Sequence, residues 1–75
     1  MRTFTQQELN NFILNHIMET CKNYKEATTL NHLNNKNYYF AKMMAYDDMA
    51  IVFADAYTYS KTAKLIRETI NDIEG

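Results

Sequence analysis

The feature that most constrains the fold is the lack of chain-breaking residues: the sequence contains no proline, and its one glycine is Gly75, the last residue. Tight β-hairpins usually need glycine, or asparagine followed by glycine, where the backbone adopts positive φ angles. A phosphate-cradling loop needs internal glycines so that the backbone can approach the anion. The composition therefore predicts an all-α fold, and it argues against an all-β chain and against a glycine-rich nucleotide loop.

The first helix carries a sequence signal at its start. Thr5 lies three residues before Glu8, which is the spacing of a capping box, and Phe4 and Leu9 flank the pair as a hydrophobic staple would. Apolar residues then recur at helical spacing while polar residues occupy the opposite side, so the pattern predicts an amphipathic helix over 6–30. The apolar face consists of Leu9, Phe12, Ile13, Ile17, Tyr24 and Ala27.

The segment 38–59 is apolar on almost every side. Seventeen of its 22 residues are apolar or tyrosine, and a helix of this kind is normally buried on most sides. It is long enough to cross a bilayer, but it contains Lys42, Asp47 and Asp48, and each charge at the centre of a spanning helix costs roughly 2.5–3.5 kcal/mol. We therefore expect a second helix over 38–59 that is covered by protein and not by lipid.

Asparagine marks the turn between these two helices. Four asparagines fall between residues 31 and 37, and asparagine favours turns because its side chain bonds nearby backbone groups and tolerates left-handed conformations. The sequence predicts a turn over 30–37, with Asn35 or Asn37 capping the second helix.

The C-terminal part allows two interpretations. Residues 58–64 are less helical in composition, and Ser60 could cap a third helix over 61–73. The alternative is one continuous helix over 38–73. Either interpretation gives an all-α helical hairpin with a third C-terminal helix or helical extension, in a single domain over 1–75.

A chain of 75 residues hides only about 60% of its unfolded surface and is marginal as a monomer. Small domains are commonly stabilised by disulfides, a metal or a partner, and Cys21 has no second cysteine in the chain to pair with. We therefore expect a homodimeric helical bundle packed through the second helix. The residues predicted to form the dimer interface are Tyr39, Met43, Tyr46, Ala50, Phe53 and Tyr57.

The residues that could carry chemistry are few and poorly spaced. His16 and Cys21 are five apart, so they do not form the i, i+4 pair that clamps a metal on a helix, and His32 falls in the predicted turn. No base is placed near Cys21 by any recognisable cysteine-enzyme pattern. We expect no catalytic residue, no metal site and no cofactor.

The function that the sequence favours is binding of another macromolecule. A narrow polar strip on the second helix contains Asp47, Asp48, Asp55 and Thr58, and an acidic groove built on it would attract a basic segment of a protein partner. The N-terminus has no secretory signal pattern. We therefore expect a small cytoplasmic interaction or regulatory protein that is not associated with a membrane.

A nucleic-acid-binding regulator is the alternative. Lys61, Lys64 and Arg67 are spaced three apart and could contact phosphates. A nucleic-acid binder usually carries a basic domain, whereas this chain has a net charge of −1 and Lys64 can pair with Glu68 at i, i+4. Nucleic acid is therefore the less favoured partner.

The capping box can be tested by mutation. Thr5→Ala removes the side-chain acceptor for the first turn and should reduce the free energy of unfolding by about 1 kcal/mol. Glu8→Ala should have a smaller effect. Thermal melts that leave both variants unchanged would show that the helix does not start there.

Overall fold

The computed structural model describes residues 3–74, except for the side chain of Glu74, and these residues form three α-helices and no strand. The helices are α1 (Gln6–Thr29), α2 (Leu33–Phe53) and α3 (Ala56–Glu74). The all-α prediction is confirmed. The His16 ring contacts that of Tyr46, and the later Tyr24 contacts the earlier Phe40, so α2 runs antiparallel to α1. The ion pair between Lys25 and Asp72 places the end of α3 beside the later part of α1. The bundle therefore runs up, down and up.

The predicted capping box is present at the start of α1. The Thr5 hydroxyl accepts a hydrogen bond from the Glu8 amide at 3.1 Å, and the Glu8 carboxylate accepts one from the Thr5 amide at 3.2 Å. Both bonds satisfy amides that the first turn of a helix leaves without intrahelical partners. The helix begins at Gln6, where the sequence placed it.

The turn after α1 is built on a left-handed asparagine. Asn31 has a φ of 59°, and the amides of Asn31 and His32 bond the carbonyls of Thr28 and Ala27 at 3.1 and 2.9 Å. This is a Schellman ending, which usually has glycine at the left-handed position and sometimes asparagine. The choice of asparagine for the turn is confirmed.

The start of α2 was placed too late by the sequence. The helix begins at Leu33, with His32 as its N-cap and no side-chain capping bond, so Asn35 and Asn37 lie inside the helix and cap nothing. The Lys36 amide already bonds the His32 carbonyl at 2.9 Å. Because the Schellman turn reverses the chain within three residues, helix formation resumes at once.

The break in 38–73 is real, but it lies at Ala54 and Asp55 and not at Ser60. Ala54 is extended, with a ψ of 154°. The Asp55 carboxylate accepts a hydrogen bond from the Thr58 amide at 2.8 Å, and a negative charge is favourable at a helix N-terminus. The cap of α3 is therefore Asp55, and Ser60 lies within the helix.

Polar residues at the start of α1 hold this break in place. The Gln6 side-chain amide donates to the Phe53 carbonyl at 2.8 Å. The Asn10 side chain donates to the Asp55 carboxylate at 3.0 Å and accepts from the Asp55 amide at 3.1 Å. We call Gln6, Asn10 and Asp55 the corner cluster. The cluster provides hydrogen-bond partners for backbone groups at the end of α2 that would otherwise have none within the helix.

The core lies between all three helices and contains threonine as well as apolar residues. Hydroxyls of the buried Thr20, Thr62 and Thr69 donate to carbonyls three or four residues earlier in their own helices, at 2.6–2.9 Å. Because each hydroxyl is satisfied within its own helix, threonine can occupy a core position without an unpaired polar group. The buried apolar residues around them are Ile13, Ile17, Cys21, Tyr24, Met43, Ala50 and Ile66.

The bundle is less compact than its size predicts. Its Cα radius of gyration is 13.1 Å, against about 11 Å for a compact domain of this length. Within Leu33–Phe53, which is described throughout, only Met43 and Ala50 are buried. The expectation that α2 is buried on most sides is therefore wrong for the single chain, because α1 and α3 cover one side of it only.

The corner cluster makes a testable contribution to acid stability. Hydrogen bonds from the backbone amide and side chain of Thr58, and a weaker contribution from Asn10, hold the pKa of Asp55 below its ordinary value. The stabilisation is therefore present above the ordinary carboxyl pKa of about 4 and is lost as the pH falls through the lower folded-state value.

Asp55→Asn retains an N-cap acceptor but cannot titrate, so its unfolding midpoint should depend less on pH than that of the parent between pH 5 and pH 2. Asp55→Ala should lower the midpoint at every pH. Urea melts across this range check both. Identical acid profiles for the parent and Asp55→Asn would show that the carboxylate is not a cap in solution.

Candidate functional site

An apolar groove lies between the start of α1 and the end of α2. Antiparallel packing brings these two ends together, and the groove has a volume of ≈ 190 Å³. Phe4 and Leu9, the two positions of the predicted staple, both line it. Glu8 is the one polar residue in the lining, which consists of Phe4, Glu8, Leu9, Phe12, Ile13, Met49 and Phe53. The groove can therefore accept apolar side chains and offers little to a polar ligand.

A row of aromatic rings continues from the groove along the α1–α2 contact. The Phe12 and His16 ring centroids are 4.3 Å apart, and His16 stacks on Tyr46 at 5.2 Å. The Tyr46 hydroxyl lies 3.3 Å from His16 Nδ1. His16 is thus part of the packing between helices and leads from the groove into the core.

Cys21 is held inside the bundle. It is buried, and its thiol donates a weak hydrogen bond to the Met43 sulfur at 3.5 Å. Burial raises the pKa of the thiol, although a hydrogen bond with Thr69 and the charge of Lys25 act in the opposite direction. A raised pKa leaves little thiolate at neutral pH, and the thiolate is the reactive form. Among the described residues, no group of three or more His, Cys, Asp and Glu side chains could hold a metal ion.

The residues of the predicted acidic groove do not line a common surface. Thr58 is buried, and Asp55 serves as the cap of α3. Asp47 borders a shallow depression between α2 and α3 that also contains Arg67, whereas Asp48 is exposed on the side of α2 away from the core. The four residues therefore do not form one groove, because the break at Asp55 directs the chain away from the α2 axis, and binding of a partner by the exposed aspartates stays a prediction.

The predicted dimer interface also has to be corrected. Met43 and Ala50 are fully buried within the chain, and Tyr39 and Tyr46 pack against the core beside them. Met43 and Ala50 therefore cannot meet a second copy, whereas Tyr39 and Tyr46 are half-buried on the side of α2 that faces the core. Phe53 and Tyr57 remain exposed near the break.

A different side of α2 is uncovered. At 100° per residue, Ala41, Ala45 and Val52 fall opposite Met43 and Ala50, with Tyr38 and Asp48 beside them, whereas Lys42 and Met49 lie on the flank nearer α1. We call these seven positions the outer face of α2. All seven are exposed or half-buried: Tyr38, Ala41, Lys42, Ala45, Asp48, Met49 and Val52. Val52 is 70% exposed. The spacing of these residues, three or four apart, is visible in the sequence. The sequence alone does not determine which of the two apolar sides of α2 packs against α1.

The basic residues of the alternative prediction lie on the exposed side of α3. Lys61 approaches the Tyr57 ring at 5.6 Å, and Lys64 makes the predicted i, i+4 contact with Glu68 at 3.9 Å. Exposed pairs of this kind contribute little energy. Binding of nucleic acid by Lys61, Lys64 and Arg67 stays a prediction.

Comparisons with known proteins give no further guidance: no protein-family model, no curated protein and no solved structure matches this chain. Within the described residues, none of the helices is both long and apolar enough to cross a membrane.

The burial of Cys21 can be tested with a thiol reagent. We expect Cys21 to react with dithionitrobenzoate at neutral pH only when the bundle opens, so that urea accelerates labelling in parallel with unfolding. The matched control is Cys21→Ala with Met18→Cys, which places a thiol at an exposed position of the same helix. Rapid labelling of the parent, at the rate of this control, would contradict the described packing.

Proposed function

We propose that this chain is a protein-interaction module without catalytic activity, and that it binds bulky apolar side chains of a partner protein in the groove between α1 and α2. The observation that carries the proposal is the lining of the groove, in which six of the seven residues are apolar and three are phenylalanine. Aromatic side chains are enriched in protein interfaces and in their energetic hot spots.

The size of the groove supports a protein ligand over a small molecule. Its volume of ≈ 190 Å³ is below the roughly 300–1,000 Å³ of ordinary small-molecule sites. Two larger depressions, of ≈ 300 and ≈ 340 Å³, are more open to solvent, and both are bordered by charged side chains. A few side chains from a partner would fill the apolar groove.

The exposure of the groove residues supports the same function. Phe4, Phe12 and Phe53 are 59%, 49% and 50% exposed, and a contiguous apolar surface of this kind commonly marks an interaction site. Glu8 at the rim also adds negative charge, which would favour lysine or arginine in the partner. We therefore propose an amphipathic helix as the ligand, with apolar residues at i, i+3 or i+4 and a basic residue at its edge.

Chain length supports a second element of the proposed function. A chain of this length gains stability from a partner, and we propose that it acts as a cytoplasmic homodimer. The groove lies on the side of α2 next to α1 and shares Met49 with the outer face of α2.

A selection experiment tests the groove. A library of helical peptides displayed on phage, selected on the purified chain, should yield sequences with paired apolar residues and a nearby lysine or arginine. Backbone amide NMR shifts on addition of a selected peptide should change most around Leu9, Phe12 and Met49.

Phe12→Asp and Phe53→Asp should each weaken peptide binding by about tenfold or more, because each places a charge in a desolvated apolar contact. Ile51→Asp is the matched control, since Ile51 is 59% exposed on the same helix and does not line the groove. Circular dichroism verifies that all three variants fold. Selected peptides that bind equally to all three variants would refute the groove as the binding site.

A further inference from the structure

Apart from Met49, which also lines the groove, the outer face of α2 remains uncovered after the groove has been assigned. The chain exposes 5450 Å², whereas a compact monomer of 8.9 kDa exposes about 4,800 Å². The excess is on the order of 600 Å², which approaches the roughly 800 Å² that each partner buries in a standard-size interface. This excess belongs to the whole chain, and it is of the size that one contact with a second copy would cover.

The outer face is symmetrical about its central residue. Counting from Ala45, Lys42 and Asp48 are each three residues away, Ala41 and Met49 are each four away, and Tyr38 and Val52 are each seven away. The pattern therefore pairs a positive charge with a negative one, and an apolar residue with an apolar one, at equal distances from the centre. Such a surface is complementary to itself when one copy is turned end over end.

We propose that a second copy of this chain covers the outer face of α2, with the two α2 helices antiparallel and a two-fold axis beside Ala45. The inference rests on the proposed homodimer and specifies its surface and register. In this arrangement Tyr38 lies level with Val52 of the partner subunit, and Ala41 lies level with Met49 of the partner subunit. This is an isologous contact, in which the same patch is used by both copies.

Charge favours the antiparallel orientation. Lys42 lies level with Asp48 of the partner subunit, and the two-fold axis repeats this pair on the other side of Ala45. A parallel dimer in register would instead place Lys42 beside Lys42 of the partner subunit and Asp48 beside Asp48 of the partner subunit. Facing like charges are unfavourable, so complementarity selects orientation and register.

Shape is compatible with close packing. Ala41 and Ala45 are small, so the helix axes can approach to about 8 Å, the lower end of the usual range. The opposite side of α2 is already packed against α1 and α3. The second copy therefore approaches from the open side, and the two grooves of the dimer lie near opposite ends of the paired helices.

A charge-exchange series tests the proposal. Analytical ultracentrifugation of the parent at micromolar concentration should give about twice the 8.9 kDa chain mass. Lys42→Glu and Asp48→Lys should each raise the dimer dissociation constant by about tenfold or more, because each places like charges level with one another. The double variant should restore the dimer, and an equimolar mixture of the two single variants should form a heterodimer.

Restoration would have to occur between chains, because residues 42 and 48 are six apart and do not face each other on one helix. Lys22→Glu is the matched control: it makes the same change in net charge at an exposed position of α1 and should leave the dimer intact. Circular dichroism verifies that each variant folds, because substitutions at these exposed or half-buried positions should not disturb the helices. The Lys42 ammonium also lies 5.6 Å from the centroid of the Tyr38 ring. Lys42→Glu removes this contact, whereas Asp48→Lys leaves it in place and changes only the charge at residue 48.

The experiments distinguish failure of the proposed homodimer from failure of the proposed surface on α2. A monomeric parent would overturn the homodimer and with it this inference. A dimeric parent whose single variants are both unchanged, or whose double variant fails to recover, would overturn the proposed surface while leaving a homodimer in place. The proposed function of the groove is measured separately by peptide binding.

Discussion

The structure depends on one constraint: α2 is apolar around most of its circumference, and the chain is too short to cover it. α1 and α3 occupy the side marked by Met43 and Ala50. They cannot also reach the opposite side, so the bundle is flattened and its radius of gyration exceeds that of a compact domain. Burial of apolar area is the main favourable contribution to folding and association. The same deficit therefore leaves apolar residues of α2 exposed to solvent.

The corner cluster determines where the uncovered surface lies. Asp55 ends the apolar run of α2 and caps α3, while Gln6 and Asn10 fasten this break to the first turns of α1. Because of these bonds, α3 turns back beside α1 and does not continue the line of α2. The end of α2 then borders the start of α1, which creates the groove, and the outer face stays open along the rest of the helix.

The sequence predicted the elements that local physical chemistry determines. The capping box of Thr5 and Glu8, the asparagine turn and the amphipathic first helix all depend on neighbours within a few residues. The start of α2 and the cap of α3 were misplaced, because Asn35, Asn37 and Ser60 are equally good local caps, and the selection of Asp55 depends on Asn10, which is distant in sequence. Buried Thr20, Thr62 and Thr69 were missed for a related reason, since a hydroxyl bonded within its own helix looks polar in the sequence. The choice between the two sides of α2 required tertiary packing.

The central claim is that two copies meet along the outer face of α2 about an axis beside Ala45, and a symmetric disulfide measures this most directly. In a Cys21→Ala background, Ala45→Cys should form an intermolecular disulfide under mild oxidation, because residues on the axis can bring their Cα atoms within the roughly 4.4–6.8 Å that the bond requires. Ala41→Cys should not, because antiparallel helices separate its two copies by about 12 Å along the axis. Of the two cysteine variants, we expect only Ala45→Cys to cross-link. Equal cross-linking at 41 and 45 would indicate parallel helices, and no cross-linking at 45 would contradict the proposed axis.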